Sequence, residues 1–480
     1  MDANKKTNLR LKRRGTLAAS WVACTVMASH ATIASAQLLQ PGSLPGNFNE
    51  LQRPVADGIL QVCVNLVFGL GVSPAASGTP AQRLANSCST MVSTATAGAA
   101  FPGAAAFDLK LNSSQVATAI QALAPVQANA QKQIGTEAVK MNAIGARLLN
   151  LRGGARGMVL GMNGQSIQTA GTSTLSNLNG ATGGGAAADD VLGGKWGSFV
   201  NVAYNWGSID KTTLQDAYKQ DSYNILAGAD YRASDTFVIG GAISYSDTSA
   251  KYEQGLGNVK AKTTGAIGYA TYYRDDWYVD SLLSYGYVDY DSRRNINIAS
   301  NNAALTGIFT AATSSPKGNQ WSASIGTGKD IRSGTFSITP TARLNYIHVK
   351  NKAFSENEPV AGLGLAVNGR TIESLQSALG ARIGTTVNTS SAVLVPYCSL
   401  QWLHEFKNDS PSLTSRYVND PNGIGFSIAT ANPTSNYGIL AVGTSVTMPN
   451  NLSAFAQFST AVGLKDESSY AVSAGLRIQF

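Results

Sequence analysis

The chain has 480 residues, of which 44% are apolar, 13% are charged and 49 are glycine. This composition is unlike that of disordered, collagen-like or coiled-coil proteins, and it disfavours an ordinary soluble enzyme. The formal net charge of +8 is concentrated in the first 36 residues, since the remainder holds 30 basic and 27 acidic residues. Nucleic-acid binding requires a dense basic surface, so we exclude nucleic acid as a partner.

Residues 1–36 have the layout of an export signal. Six basic residues precede the apolar run 17–27, and Ala34-Ser35-Ala36 follows as a site of small residues. This order predicts a signal peptide cleaved between Ala36 and Gln37, and therefore passage through the secretion translocon. A retained membrane anchor is the alternative, but the apolar run is short and lacks a charged stop. No later segment reaches the roughly 18 apolar residues of a helical membrane span.

The next part of the chain is predicted to be a small α-helical region. Residues 37–194 contain no Tyr and no Trp, and residues 171–194 form a Gly-rich linker. Apolar periodicity predicts helices at 55–70, 80–94, 113–123 and 126–151, and Pro80 suits a first helical turn. We therefore assign residues 37–133 to a helical region and residues 134–194 to a connecting segment.

Two cysteines lie on neighbouring predicted helices. Cys63 and Cys88 are the only cysteines between the signal and the linker, and disulfides are common in exported proteins. Their positions on neighbouring helices of an exported protein therefore predict a disulfide between them, with two separate buried thiols as the alternative. Cys398 has no obvious mate and is expected to face lipid.

After residue 194 the hydrophobic period changes to two, as in β-strands. Val200, Val202 and Tyr204 share one face, while Asn201 and Ala203 share the other. Similar alternation predicts twelve strands, centred on residues 196–207, 223–232, 237–246, 267–273, 279–287, 321–327, 336–346, 375–387, 394–402, 440–448, 452–458 and 470–480.

The predicted connections alternate between short and long. The short ones are residues 233–235, 275–276, 332–334, 388–391 and 449–451, and the long ones are 209–220, 248–260, 291–318, 351–372 and 407–435. This asymmetry is typical of an up-and-down barrel in the bacterial outer membrane. Because hydrocarbon offers no partner for an open sheet edge, such a barrel must close. The fold class is therefore all-β, a 12-stranded antiparallel transmembrane β-barrel preceded by a small α-helical region.

Polar and charged residues occupy the face that would line the lumen. The expected lumen charges are Asp230, Asp280, Asp330, Arg343, Arg382, Glu405 and Arg477, and Arg232 joins them. A soluble sandwich or jelly roll also alternates, but charges at this density cannot form a dry core.

The C-terminal part of the chain resembles the translocator domain of classical autotransporters. The resemblance is carried by YAVSAGLRIQF at residues 470–480 and PYCSLQWLHEF at residues 396–406, and it extends over residues 195–480. It implies that the barrel-assembly machinery recognises Phe480, with Ile478 and Leu476. It also implies that residues 37–133 are a short passenger at the cell surface and that residues 134–194 thread the pore. An outer-membrane channel or structural barrel, with a periplasmic or plugging N-terminal region, is the alternative.

The connecting segment is basic. Its first part, residues 134–156, contains Lys140, Arg147, Arg152 and Arg156 against Glu137 alone. These residues either complement lumen carboxylates such as Asp230, Asp280, Asp330 and Glu405, or belong to a solvated helix face.

No catalytic or metal-binding constellation is evident. Only His348 and His404 follow the signal, and both lie in the predicted barrel. A passenger site built on histidine is therefore excluded, and Asn408 stands where a zinc-protease motif would place its second histidine. We expect a non-enzymatic monomer without cofactor, in contact with outer-membrane lipid. The ligand of the passenger is not predicted.

Overall fold

The computed structural model describes residues 40, 42–126, 195–408, 412–448 and 452–479, and between them residues 137–138, 140–145, 147–148, 151, 160–162 and 165–167. Several sequence predictions lie outside the described residues. These are the cleavage site at Ala36 and Gln37, the basic residues Arg152 and Arg156, the Gly-rich linker and the C-terminal Phe480.

Within residues 42–126 the structure contains three α-helices: α1 (Gln52–Cys63), α2 (Pro80–Ala95) and α3 (Ser113–Leu123). A π-helix (Val64–Gly69) continues α1, and a 3-10 helix (Ala104–Phe107) precedes α3. Helices α2 and α3 start where the sequence predicted, each with a capping box, formed by Thr79 with Gln82 and by Asn112 with Gln115. In the part of the chain that the structure describes, no helix is both long and apolar enough to span a bilayer.

Twelve long strands follow. They are β1 (Trp196–Ile209), β2 (Tyr218–Ser234), β3 (Phe237–Tyr252), β4 (Gly257–Arg274), β5 (Trp277–Ile298), β6 (Lys317–Lys329), β7 (Phe336–Asn351), β8 (Arg370–Thr385), β9 (Val393–Glu405), β10 (Asn436–Met448), β11 (Leu452–Val462) and β12 (Glu467–Gln479). Each pairs antiparallel with the next, and β12 pairs with β1. The predicted 12-stranded closed barrel is thus confirmed.

The two faces of the barrel wall differ as a membrane requires. Outward side chains are large and apolar, and Ile243 and Leu283 are 69% and 62% exposed. Inward side chains such as Asn201 and Ser246 are buried. Outward aromatic rings also cluster, with Tyr204 4.7 Å from Tyr223 between ring centroids. The outer surface therefore suits lipid, and the inner surface suits water or a polar segment.

Two connections that the sequence predicted as long loops are partly strand. Only residues 253–256 separate β3 from β4, and β5 continues to Ile298. The missed strand ends are rich in polar residues such as Thr248, Ser249 and Lys251. The physical reason is that a strand projecting beyond the bilayer loses its apolar outer face, so its period-two signal disappears.

Short strands lie at both ends of the barrel. At the end with long connections (the loop end), Ile308–Ser314 pairs with β5, and Phe354–Ser355, Leu365–Val367, Leu413–Tyr417 and Gly425–Ile428 form a four-stranded sheet. At the opposite end (the turn end), Ile331–Ser333 pairs with β7 and Val387–Asn388 with β9. A small hairpin joins Leu160–Met162 and Gln165–Ile167, and a 3-10 turn (Glu253–Gly255) precedes β4. The four-stranded sheet lies in connections whose sequence predicts loops.

Candidate functional site

A helical segment occupies part of the barrel lumen. The described residues between 137 and 151 are all helical. On one face of this lumen segment, Met141, Ile144, Leu148 and Leu151 join a buried cluster with inward-facing residues of the wall, including Phe199 and Tyr269. One side of the segment therefore packs on the wall as in a protein core.

The polar contacts of the lumen segment show its direction. The carboxylate of Glu137 accepts hydrogen bonds from Ser284, from Ser322 at 2.9 Å and from Gln320. Ser284 and Ser322 each lie seven residues from the turn end of their strands. Arg147 pairs with Asp230, which lies four residues before the turn end of β2. The segment therefore runs from the loop end towards the turn end, where β1 begins.

Asp230 is the carboxylate of the barrel wall that forms an ion pair with the lumen segment. Besides Arg147, it has Arg477 of β12 at 3.8 Å, and Arg147 also lies over the Phe199 ring at 4.9 Å. Lys140 instead pairs with Glu137 of the same segment at 3.3 Å. Of the two described basic residues, Arg147 thus contacts a wall carboxylate, and Lys140 is satisfied within the segment.

Three other predicted lumen charges contact residues of the barrel wall itself. Glu405 accepts from the Leu375 amide at 2.9 Å and from Gln376 at 3.0 Å, while Asp330 accepts from Thr339 at 2.9 Å. The guanidinium of Arg382 stacks on the Tyr397 ring at 3.5 Å. The remaining two, Asp280 and Arg343, are buried and partly buried on the inner face of β5 and β7.

At the loop end, the N-terminal helices and the barrel connections share one hydrophobic core. Residues of α1, α2 and α3 pack with Ile296 and Ile298 of β5, and with Leu363, Tyr417 and Phe426 of the four-stranded sheet and its connections. We call this assembly, the three helices with the four-stranded sheet, the cap. The sequence predicts the helices and the barrel connections as separate units, whereas in the structure they share one core.

Two glycines allow the helices to approach the connections closely. A Cβ added to Gly58 of α1 would lie 2.7 Å from Cδ1 of Phe426. Gly362 has a φ of +74°, and a Cβ there would lie 2.6 Å from the backbone N of Leu84 in α2. The hydroxyl of Ser87 donates to the Ala361 carbonyl at 2.8 Å beside this contact. The helix backbones therefore touch the barrel connections directly.

Arg294 of β5 joins the cap to the barrel by hydrogen bonds. Its side chain is 3% exposed, and its Nε donates to Oε1 of Glu356 at 3.1 Å. It also donates to the carbonyl of Ala122, in the last turn of α3, at 3.1 Å, and to that of Leu363 at 2.9 Å. The charge of Arg294 is fully paired only when β5, the end of α3 and the connection that bears Glu356 and Leu363 are all in place.

Glu358 organises the connection that bears Gly362. It accepts hydrogen bonds from the backbone amides of Val360, Ala361 and Leu363 and from the Thr310 hydroxyl, at 2.7–3.2 Å. Burial by itself would raise the pKa of the Glu358 carboxyl, but these hydrogen bonds outweigh burial and lower that pKa below its usual value. The carboxylate form therefore stabilises the docked conformation of this connection.

Cys63 and Cys88 are both buried and unbonded between α1 and α2. Burial raises the pKa of the Cys88 thiol well above its usual value, and the adjacent Cys63 raises it further. The two thiols are thus neighbours, and the predicted disulfide between them stays a prediction. Cys398 is exposed on β9.

The residues of the expected barrel-assembly signal lie on the last strand. Leu476 and Ile478 are 58% and 54% exposed on the outer face of β12. Both side chains are therefore available to lipid or to a protein that contacts the outer face of the barrel.

The comparisons with known proteins agree with this architecture. The model of the autotransporter β-domain matches residues 198–459. The chain belongs to the autotransporter family. The barrel of this autotransporter lies in the bacterial outer membrane.

Similarity to characterised relatives is remote. Outer membrane protein A of Rickettsia conorii is 23% identical over 241 residues, which are 48% of this chain and 12% of that protein. The autotransporter adhesin/invasin TibA of Escherichia coli is 26% identical over 251 residues, 51% of this chain and 22% of that protein. Esterase EstA of Pseudomonas aeruginosa is 21% identical over 292 residues, 60% of this chain and 43% of that protein. The matched part thus spans less than half the length of each of these relatives.

Among solved structures, the translocator domain of the autotransporter NalP from Neisseria meningitidis is similar at 16% identity and a TM-score of 0.47. The match covers 62% of this chain and 92% of that domain.

Proposed function

We propose that this autotransporter carries its N-terminal helical region through the barrel and retains it at the cell surface as a closed cap. The observation that carries the proposal is the path of the chain. Helices α1–α3 pack at the loop end, the lumen segment descends from Glu137 to Arg147, and β1 starts at the turn end. Outer-membrane barrels place long connections outside the cell and tight turns in the periplasm. The helical region then lies outside.

The cap supports retention rather than release. A freely displayed passenger needs its own core, whereas the core of the cap includes β5 and two connections of the barrel. Arg294 of β5 also donates to the Ala122 carbonyl of α3 at 3.1 Å, a hydrogen bond between the barrel and the helical region that release would break. The helical region is therefore an integral part of the mature protein, which we infer to be a monomer.

We infer a non-enzymatic role in surface display. The names of the relatives include both an adhesin and an esterase, so they do not define a passenger activity for this chain. Residues 37–133 contain no histidine, and this argues against a histidine-dependent hydrolase in the helical region. The secretion translocon, and a barrel-assembly machinery that recognises Phe480, Ile478 and Leu476, are the partners that this role requires.

Surface display is tested by antibody binding to an inserted epitope. One epitope is placed after Ser77, in the exposed connection between α1 and α2, and a control epitope after Ser391, in the exposed turn before β9. Binding of intact cells is expected for the first epitope alone, and both are bound after permeabilisation. If the Ser77 epitope is also reached only after permeabilisation, the helical region is periplasmic and the alternative of a plugged structural barrel is correct.

A further inference from the structure

The outer face of β7 shows where the hydrocarbon of the membrane ends. Every second residue of this strand from Phe336 to Tyr346 points outward, and these residues are apolar or aromatic: Phe336, Ile338, Pro340, Ala342, Leu344 and Tyr346. The run matches the roughly 9–11 residues of a tilted strand that cross hydrocarbon. The ring of Tyr346 lies 4.8 Å from that of Trp321 in β6, between centroids, and such rings are typical of a membrane interface. Residues beyond Tyr346, towards the loop end, therefore lie at the level of the lipid head groups.

Three exposed lysines lie at this level, Lys317 of β6, Lys350 of β7 and Lys352 directly after β7. We call them the lysine patch. Lys317 and Lys350 are four residues beyond Trp321 and Tyr346 along their strands, which is about 13 Å of strand. The distance along the membrane normal is shorter, because the strands of such barrels are tilted. Long, flexible lysine side chains can therefore place their ammonium groups among the head groups.

The lysine patch brings like charges together. The backbone amide of Lys352 donates to the carbonyl of Lys317 at 2.9 Å, so these two residues lie opposite each other on adjacent strands. Like charges in this arrangement are destabilising. Among the described residues, Lys350 and Lys352 form no ion pair, and Lys317 has only Asp289, at 4.0 Å with both side chains more than 70% exposed. The three lysines and this one carboxylate carry a net charge of +2.

Charges on the neighbouring outer face of β3–β5 are arranged differently. Lys262 of β4 lies opposite Asp247 on one side and Asp289 on the other, and Lys260 lies opposite Asp291. Opposite charges in register stabilise a sheet. The lysines of β4 are thus compensated by the barrel itself, whereas the lysine patch leaves a positive charge for an anion.

The surroundings of the lysine patch add hydrogen-bond donors and no free carboxylate from β8. Asn319 of β6 lies opposite Lys350, and its amide donates to the Tyr285 hydroxyl at 3.3 Å. Glu373 of β8 is already paired with Lys407 at 2.8 Å. An anion on the lysine patch therefore meets ammonium and amide donors together.

We propose that the lysine patch binds a phosphomonoester group of a lipid in the outer leaflet of the outer membrane. A phosphomonoester carries a charge of about −1.5 to −2 at pH 7, which matches the patch better than the single charge of a phosphodiester. The aromatic residues beneath the patch place its occupant at the lipid surface. The assignment to the outer leaflet rests on the proposed function, in which the loop end faces the cell exterior.

The test is binding of diphosphoryl lipid A to the full-length protein in detergent micelles, measured by native mass spectrometry. Phosphatidylglycerol, a phosphodiester lipid, is the comparison and is expected to bind more weakly. The triple variant Lys317→Gln, Lys350→Gln and Lys352→Gln should weaken lipid A binding about 100-fold, because each lysine beside an anionic head group contributes about fivefold. Salt should weaken binding to the unmodified protein more than binding to the triple variant.

The matched control is the double variant Lys260→Gln and Lys262→Gln, which removes exposed lysines that have acidic partners and should leave binding unchanged. The variant Lys317→Arg, Lys350→Arg and Lys352→Arg keeps the charges and should retain binding. Heat-modifiable gel mobility shows that each variant is a folded barrel. Undiminished binding by the triple glutamine variant, an equal loss in the control, or no preference for lipid A would each overturn the proposal. This binding does not depend on the location of the helical region, which the Ser77 epitope reports separately.

Discussion

At the residue scale, Arg294 joins the cap to β5 through hydrogen bonds to Glu356, Ala122 and Leu363. Its replacement by alanine leaves Glu356 buried without its ion pair, which typically costs about 3–5 kcal/mol. We expect the Arg294→Ala protein to lose protease protection of α1–α3 while its barrel keeps heat-modifiable mobility. The matched control is Arg293→Ala, because Arg293 is the exposed neighbour on the same strand. Equal protection of the two variants would show that the pair does not secure the cap.

A second residue-scale prediction concerns pH. The pKa of Glu358 is lower in the folded cap than in an unfolded chain, where it is about 4.3. The stabilisation is therefore fully present above the unfolded pKa and is lost as the pH falls through the folded pKa. Protection of the helices, followed by limited proteolysis between pH 7 and pH 3, should decline below about pH 4.3. Glu358→Gln should flatten this decline; an unchanged pH profile would contradict the role given to this carboxylate.

At the element scale, a comparison of two glycine variants distinguishes the effect of the contact between Gly362 and α2 from the effect of backbone strain. Alanine at Gly362 meets both a φ of +74° and the Leu84 backbone, whereas alanine at Gly334 meets a φ of +61° and open space. We expect Gly362→Ala to reduce protection of α1–α3, with an added cost of about 1–3 kcal/mol from overpacking. Gly334→Ala should leave the helices protected, since it lies at the turn end. If both variants behave alike, the contact with α2 is not needed.

The sequence was most informative where a strand is bounded by lipid. Outward Ile243 and inward Ser244 face different surroundings, so alternation in the sequence records the barrel directly. Beyond the bilayer that contrast disappears, and the outer ends of β3 and β5 were missed for this reason. Only part of the cap could be predicted from the sequence. Leu363, Leu365 and Val367 alternate in one predicted loop, but period alone does not reveal that α2 is the partner. The Arg294–Glu356 pair joins residues 62 positions apart and has no local signal.

At the scale of the whole molecule, the helical region should not fold by itself. Its core is completed by Ile296, Ile298 and residues of the connections, and isolated helices of 11 to 16 residues are marginal in water. We expect a fragment of residues 37–133 to show little helix by circular dichroism and no cooperative thermal transition. Such a chain could cross the barrel unfolded and fold only on reaching the loop end. Cooperative folding of the isolated fragment would contradict this coupling.

The central claim is that the helices are docked on the barrel connections at the cell surface, and cross-linking tests it most directly. The side chains of Gln115 in α3 and Asn301 in the β5–β6 connection meet at 2.9 Å on an accessible surface. In a Cys398→Ser background, the pair Gln115→Cys and Asn301→Cys is treated on intact cells with a short, membrane-impermeant dithiol cross-linker. The linked peptide should form in intact cells, whereas a control pair of Gln115→Cys with Ser391→Cys should give none. Linkage only after permeabilisation, or no linkage at all, would contradict the account.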